Sequence, residues 1–184
     1  GLNIGSLESI DMSKMHASKN KVVKKMATGI GGLMKKNEIT VKTGHGKLVA
    51  ERTVEVDGER IQARNVILAT GSKPAVLPFL KPDGKRVFTS DEILQLETIP
   101  KSMVVLGAGA VGLEFACVYK ALGTEVEVVE MADRPLPLED EDISKELKRV
   151  YKKRGIPIHC SVKLEDAKIK KSSVKLTGKD LAKD

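Results

Sequence analysis

The chain has 184 residues, 41% hydrophobic and 31% charged, enough for one large domain or two small ones around an ordinary core. Its formal net charge of +7 would suit nucleic acid, but the lysines are dispersed and lack interleaved aromatics to stack bases, which excludes that partner. Aromatic residues make up 3%, so the core must be aliphatic, and no apolar run reaches the ~18 residues that span a bilayer, so a soluble chain without a membrane partner is expected.

Residues 1 to 12 are polar, with Asp11 or Ser13 able to cap a helix beginning there. From Ser13 to about Lys36, apolar Met15, Val22, Val23, Met26, Ile30, Leu33 and Met34 recur at three- and four-residue intervals opposite a lysine face. That spacing predicts a long amphipathic helix with a solvated basic side. Gly29, Gly31 and Gly32 weaken its later turns and point to a kink or to close packing on a neighbour. After Asn37 the period becomes strand-like over Ile39–Lys42 and again over Lys47–Val49, separated by a turn or close backbone approach at Gly44-His45-Gly46. Asp57-Gly58, between Thr53–Val56 and Arg60–Gln62, is the strongest hairpin signal. His45 has no carboxylate beside it in sequence and reads as a turn residue. Asn65-Val66-Ile67-Leu68-Ala69-Thr70-Gly71-Ser72 reads as a buried strand ending in small residues, where a ligand's approach to the backbone would be unhindered. Lys73–Gly84, with three prolines, has linker composition, and Asp91–Leu96 suits a short helix.

The apolar run Met103–Leu106 enters Gly107-Ala108-Gly109-Ala110-Val111-Gly112, a G-x-G-x-x-G. Helical spacing continues over Leu113–Leu122, Gly123 closes the helix, and Val126–Val129 forms a second strand ending in Glu130. This is a βαβ unit with the pattern of a dinucleotide fold. Gly107 permits the tight turn, Gly109 leaves room for a pyrophosphate, and Gly112 lets helix and strand pack closely. Free amides and the dipole at the helix N-terminus favour the anion. Glu130, about 20 residues on, suits the adenosine ribose hydroxyls and would repel a 2′-phosphate, so NAD is expected over NADP. Arg134 is a rival phosphate partner or, more simply, a solvated loop charge. Ala132–Leu138 is a loop, Asp142–Arg154 an amphipathic helix with Ile143, Leu147 and Val150 inward, and Ile156–His159 a third parallel strand. Val162–Val174 begins another sheet element. The acids Glu139–Asp142 favour the helix dipole rather than a metal ion. Cys117 and Cys160 lack any paired or metal-ligand spacing and read as small hydrophobes in a reducing compartment.

Two motifs in fixed order, Val66-Ile67-Leu68-Ala69-Thr70-Gly71-Ser72 and the GxGxxGxE unit through Glu114, carry a resemblance. With the Gly29–Asn37 helix end, Gly44-His45-Gly46 and the acids before Ile143-Ser144, the chain from about Lys14 to Lys163 resembles the middle of the dihydrolipoamide dehydrogenases, flavoprotein pyridine nucleotide-disulfide oxidoreductases. The resemblance implies an α/β fold: a partial FAD-binding domain (1–72), a linker (73–97) and a Rossmann-like parallel-sheet NAD-binding domain, incomplete, at 98–184. It implies that Gly46, Thr70, Gly71 and Ser72 touch FAD and that Gly107, Ala108, Gly109, Ala110, Val111 and Gly112 hold the NAD pyrophosphate. Glu114 would reach the nicotinamide end, Glu130 the adenosine ribose, and Val162 would lie near the adenine. Glu114 also reads as a first-turn acid that favours the helix dipole.

The family's first GxGxxG, its redox C-x-x-x-x-C, its later Gly-Asp, and its C-terminal dimerisation domain with a His-Glu pair have no counterpart in these residues. No catalytic residue is therefore assigned. The implied whole enzyme, a homodimer in the cytoplasm or mitochondrial matrix, reoxidises dihydrolipoamide carried on an acyltransferase or carrier domain, through a disulfide and FAD to NAD. The chain alone is expected to be inactive. Two alternatives stay open: another flavin disulfide reductase or NADH oxidase, and a non-catalytic nucleotide-binding module.

Overall fold

Four helices and eight strands occupy residues 10–183, the part of the chain that the computed structural model describes. They fall into two units, Lys14–Lys73 and a second that holds the described residues from Pro74 onward together with residues 10–13.

The first unit begins with α1 (Met12–Lys36), which has the expected apolar stripe but buries none of its residues. Beyond the helix's own backbone, no described atom lies within 4 Å of an ideal Cβ on Gly29, Gly31 or Gly32, so the described residues do not make the close packing expected there. Beyond α1, β1 (Gly46–Ala50), β2 (Thr53–Val56) and β3 (Glu59–Gln62) form an antiparallel sheet in sequence order. The β2–β3 turn is the expected one, with φ of 48° at Asp57 and 90° at Gly58, the two positive angles of a type I′ turn. Two expected strands are absent. Ile39–Lys42 is irregular, because the Ile39 amide donates to Met34 O (2.9 Å) and so closes the helix end. Asn65–Ser72 pairs with no described strand and leaves Ile67 89% exposed. A strand of that apolar composition needs ladder partners at its edges and layers over its faces, and the described residues supply neither.

The second unit opens with α2 (Ser90–Ile93), started by a Thr89–Glu92 capping box. β4 (Ser102–Leu106), α3 (Ala110–Ala121), β5 (Glu125–Val129), α4 (Glu141–Lys153) and β6 (Ile158–His159) then alternate, and the strands make a parallel sheet in the order β4-β5-β6. The β4–β5 register runs from Ser102↔Glu125 to Leu106↔Val129 and brings both strand ends to the same level. Both crossover helices end in a left-handed glycine. Thr124 N donates to Tyr119 O after Gly123, and Ile156 N donates to Tyr151 O after Gly155, so each helix hands its chain directly to a strand. Ile156 is consumed in that cap, which is why β6 begins two residues later than its apolar pattern suggests. Asp140 caps α4 by accepting from Asp142 N (2.8 Å), so the acidic run does serve the helix start.

The core is Ala108, Leu113, Ala116, Tyr119, Val126, Val128, Tyr151 and Ile156. α4 buries Ser144 and Tyr151, with Leu147 and Val150 half-buried, whereas Ile143, expected inward, is 56% exposed. The Tyr151 hydroxyl donates to Leu113 O (3.0 Å) and lies 3.2 Å from Cys117 Sγ, tying α4 to α3. An antiparallel pair, β7 (Val162–Ile169) and β8 (Val174–Asp180), completes the unit.

Candidate functional site

The carboxyl ends of β4 and β5 lie side by side, and Gly107, Gly109, Gly112 and Glu130 converge there. Gly107 N donates to Val129 O (2.8 Å), extending the ladder one residue past β4, after which the chain turns away at a φ of 97°. That left-handed angle is the conformational reason for glycine at the first position. At Gly112 the reason is steric: a Cβ would run into the carbonyl oxygen of Gly107 and meet Val105 Cγ1 at 3.2 Å. Around Gly109 the opposite holds, for nothing lies within 4 Å of its ideal Cβ. The bend is not plugged by a side chain.

Gly109 is the N-cap of α3 and supplies no capping bond, and no side chain replaces it. Among the described residues the amides of Gly109, Ala110 and Val111 have no acceptor. Gly109, Ala110 and Val111 are exposed. These amides carry the positive end of the helix dipole and make an open anion seat.

Glu130 faces that seat. Its Oε2 accepts from Ala108 N (2.6 Å) and its Oε1 from Ala132 N (2.8 Å). An ionised carboxylate has about four lone-pair sites, so two amides leave capacity for two hydroxyl donors. Its backbone is held as well, with Glu130 N donating to His159 O (2.8 Å) and Glu130 O accepting from Val162 N (2.9 Å). Val162 is therefore adjacent to Glu130 across the strand ends. Glu114 is exposed one turn into α3, and its carboxylate accepts no hydrogen bond among the described residues.

Arg134, expected as a rival phosphate partner or a solvated loop charge, folds back on its own loop. Its guanidinium donates to Glu139 O (3.1 Å) and Pro137 O (3.0 Å) and lies 3.5 Å from Ser144 Oγ. It organises the loop after β5 from within. Nothing in the sequence separates such a role from a solvated charge except the proximity of prolines that leave carbonyls without ladder partners. The second unit's two non-glycine residues at positive φ are Leu136 (49°), within this loop, and Ser161 (58°), whose amide donates to Ala132 O at its start. Each costs about 1–2 kcal/mol and persists only where surrounding bonds hold it.

Gly46 begins β1, and Thr70, Gly71 and Ser72 stand on exposed irregular backbone in the first unit. The described residues do not close a cradle around them. His45 donates its amide to Asp57 Oδ1 (3.3 Å), a turn role. Both cysteines are free and partly buried. Burial pushes the Cys160 thiol up, away from the thiolate, despite Lys148 Nζ at 3.8 Å. No helix among the described residues is long and apolar enough to cross a membrane.

The pyridine nucleotide-disulphide oxidoreductase family model matches residues 3–183. The chain is 40% identical over 179 residues to a dihydrolipoyl dehydrogenase of Chlorobaculum tepidum, covering 95% of this chain and 38% of that relative. It is 40% identical over 169 residues to one of Bacillus subtilis, covering 85% and 36%, and 37% identical over 182 residues to a mitochondrial dihydrolipoyl dehydrogenase of Pisum sativum, covering 96% and 36%. Among solved structures, LpdA of Mycobacterium tuberculosis superposes with a TM-score of 0.81 at 26% identity, covering 95% of this chain and 40% of that one. The HOCl-induced flavoprotein disulfide reductase RclA of Escherichia coli shares the fold at a TM-score of 0.75 and 24% identity. The chain thus spans under half the length of the relatives it matches, and it belongs to the pyridine nucleotide-disulphide oxidoreductase family.

Proposed function

We propose that the chain is the central part of a dihydrolipoamide dehydrogenase, and that its second unit is the NAD-binding part. The observation that supports this is the uncapped α3 N-terminus, open at Gly109, with the Glu130 carboxylate 2.6 Å from the neighbouring Ala108 amide. Residues 107–112 would hold the pyrophosphate, which would accept from the open amides of Gly109, Ala110 and Val111, Glu130 would take the ribose hydroxyls with its free lone pairs, and Val162 would pack near the adenine. Glu114, one turn into α3 with its carboxylate open, would reach toward the nicotinamide. Residues 1–72 would be the partial FAD-binding domain, with Gly46, Thr70, Gly71 and Ser72 giving backbone and hydroxyl contacts, and 73–97 would link the two.

In the whole enzyme, flavin and nicotinamide supply the redox chemistry by which the two thiols of dihydrolipoamide become a disulfide and NAD becomes NADH. This chain's residues bind, orient and set charge; none forms or breaks a bond. A homodimer, a lipoyl-carrying protein partner and a cytoplasmic or mitochondrial-matrix location belong to the same reading.

The test is an amide-resolved titration of the labelled chain. NAD should shift the signals of residues 107–112, and Glu130→Ala should weaken NAD about tenfold or more while the chain stays folded. Equal affinity for NADP would sink the role given to Glu130, and no shift at residues 107–112 at millimolar NAD would sink the nucleotide site.

A further inference from the structure

Ala108 is fastened at both of its backbone groups. Its N–H goes to Glu130 Oε2 (2.6 Å), and its carbonyl accepts from Leu136 N (2.9 Å). Across a planar trans peptide the carbonyl of one residue and the N–H of the next point in opposite directions. The Leu136 bond therefore turns the Gly109 N–H away from the 132–140 loop, and that amide has no acceptor among the described residues. Where this donor points is set by where Leu136 sits.

Leu136 in turn is held at a left-handed φ of 49° after the buried Pro135. Its carbonyl accepts from the Glu139 amide (2.9 Å) and, at 3.4 Å, from the Ser144 hydroxyl, and Ser144 is only 2% exposed at the start of α4. Two further carbonyls in the loop, Pro137 O and Glu139 O, are gathered by the Arg134 guanidinium. One planar, multiply donating group thus spans the loop, a geometry that a lysine ammonium on its flexible stem does not reproduce.

We infer that Arg134 is a positioning residue for the nucleotide site: through the 132–140 loop and the Leu136–Ala108 bond it orients the Gly109 amide toward the ligand, without touching the ligand itself. This rests on the nucleotide reading proposed for the second unit, and the two are separable by experiment. Without nucleotide, Arg134→Ala and Arg134→Lys should both speed hydrogen exchange at the Leu136 amide and move the Gly109 amide signal, while the β4 and β5 amides keep their protection. With NAD, both variants should bind about tenfold more weakly than the unmodified chain, with an unchanged dependence on salt.

If Arg134 instead met a phosphate directly, Arg134→Lys would keep most of the affinity and the loss in Arg134→Ala would shrink at high salt; either result overturns the inference. So would Leu136 protection and NAD affinity that are both unaltered in Arg134→Ala. Should the arginine variants fail to fold, Ser144→Ala, which removes the hydroxyl that donates to Leu136 O and accepts from the Arg134 guanidinium, should give the same exchange change with about threefold weaker NAD, and unchanged exchange there counts against the proposal. An unmodified chain that does not bind NAD would refute the nucleotide reading, whereas one that binds while the variants match it would refute only the role of Arg134.

Discussion

At Gly109 and Gly112 the same residue type answers to different masters, and the difference is measurable. A Cβ at Gly112 meets the Gly107 carbonyl and Val105, both parts of the packed turn, so Gly112→Ala should lower stability by about 1–3 kcal/mol in urea denaturation. A Cβ at Gly109 meets nothing, so Gly109→Ala should leave stability within about 0.5 kcal/mol. Calorimetric titration should nonetheless show NAD binding weakened in Gly109→Ala, because the methyl occupies the anion's approach. Loss of stability without loss of binding in that variant would return the residue to a simple turn. The glycine spacing and Glu130 were readable from sequence because both depend on local geometry, a turn between strand and helix and a fixed distance to the next strand end. The roles of Arg134 and of the Ala108 carbonyl were not, since they depend on a loop fold that no periodicity encodes.

The βαβ strands and the helices that end in glycine were legible in the sequence, whereas Asn65–Ser72 was not. α3 and α4 stop where Gly123 and Gly155 stand, and the Asp57-Gly58 turn forms where its sequence requires. Asn65–Ser72 is strand-like only by composition, and composition does not provide neighbours. α2 starts a residue earlier than its apolar spacing suggested, because Thr-x-x-Glu at Thr89 and Glu92 dictates the cap. The Pro-rich segment before it contains a turn that titrates. Asp83 Oδ1 accepts from the amides of Lys85 (2.9 Å), Arg86 (2.7 Å) and Val87 (2.9 Å). These bonds, with the Arg86 amide foremost, lower its carboxyl from 3.8 to about 2. A carboxyl depressed in the folded state contributes stability above its ordinary value and loses it as pH falls through the lowered one. The three amides should therefore keep their shifts down to about pH 4 and lose them progressively toward pH 2. Asp83→Asn should remove that titration, and a midpoint near 4 in the unmodified chain would contradict the triple bond.

For the molecule as a whole, burial is divided unequally. The core cluster comes entirely from residues 108–156, whereas no described residue from Lys14 to Lys73 is buried. On α1, Val22, Val23, Met26, Ile30 and Leu33 are each 56–64% exposed. Stability should differ accordingly, with the first unit opening at little cost and the second holding as one cooperative block. Brief trypsin digestion should cut within the lysine-rich residues 14–36 well before it cuts residues 103–158, and mass spectrometry of the early products would show it. Cleavage at comparable rates in both would mean that the first unit is as firmly held as the second. The double fastening of Ala108 carries a kinetic consequence. A pocket whose donors are already aimed loses little entropy on capture, so a nucleotide should arrive in one bimolecular phase whose rate rises linearly with concentration, with no slower rearrangement trailing behind it.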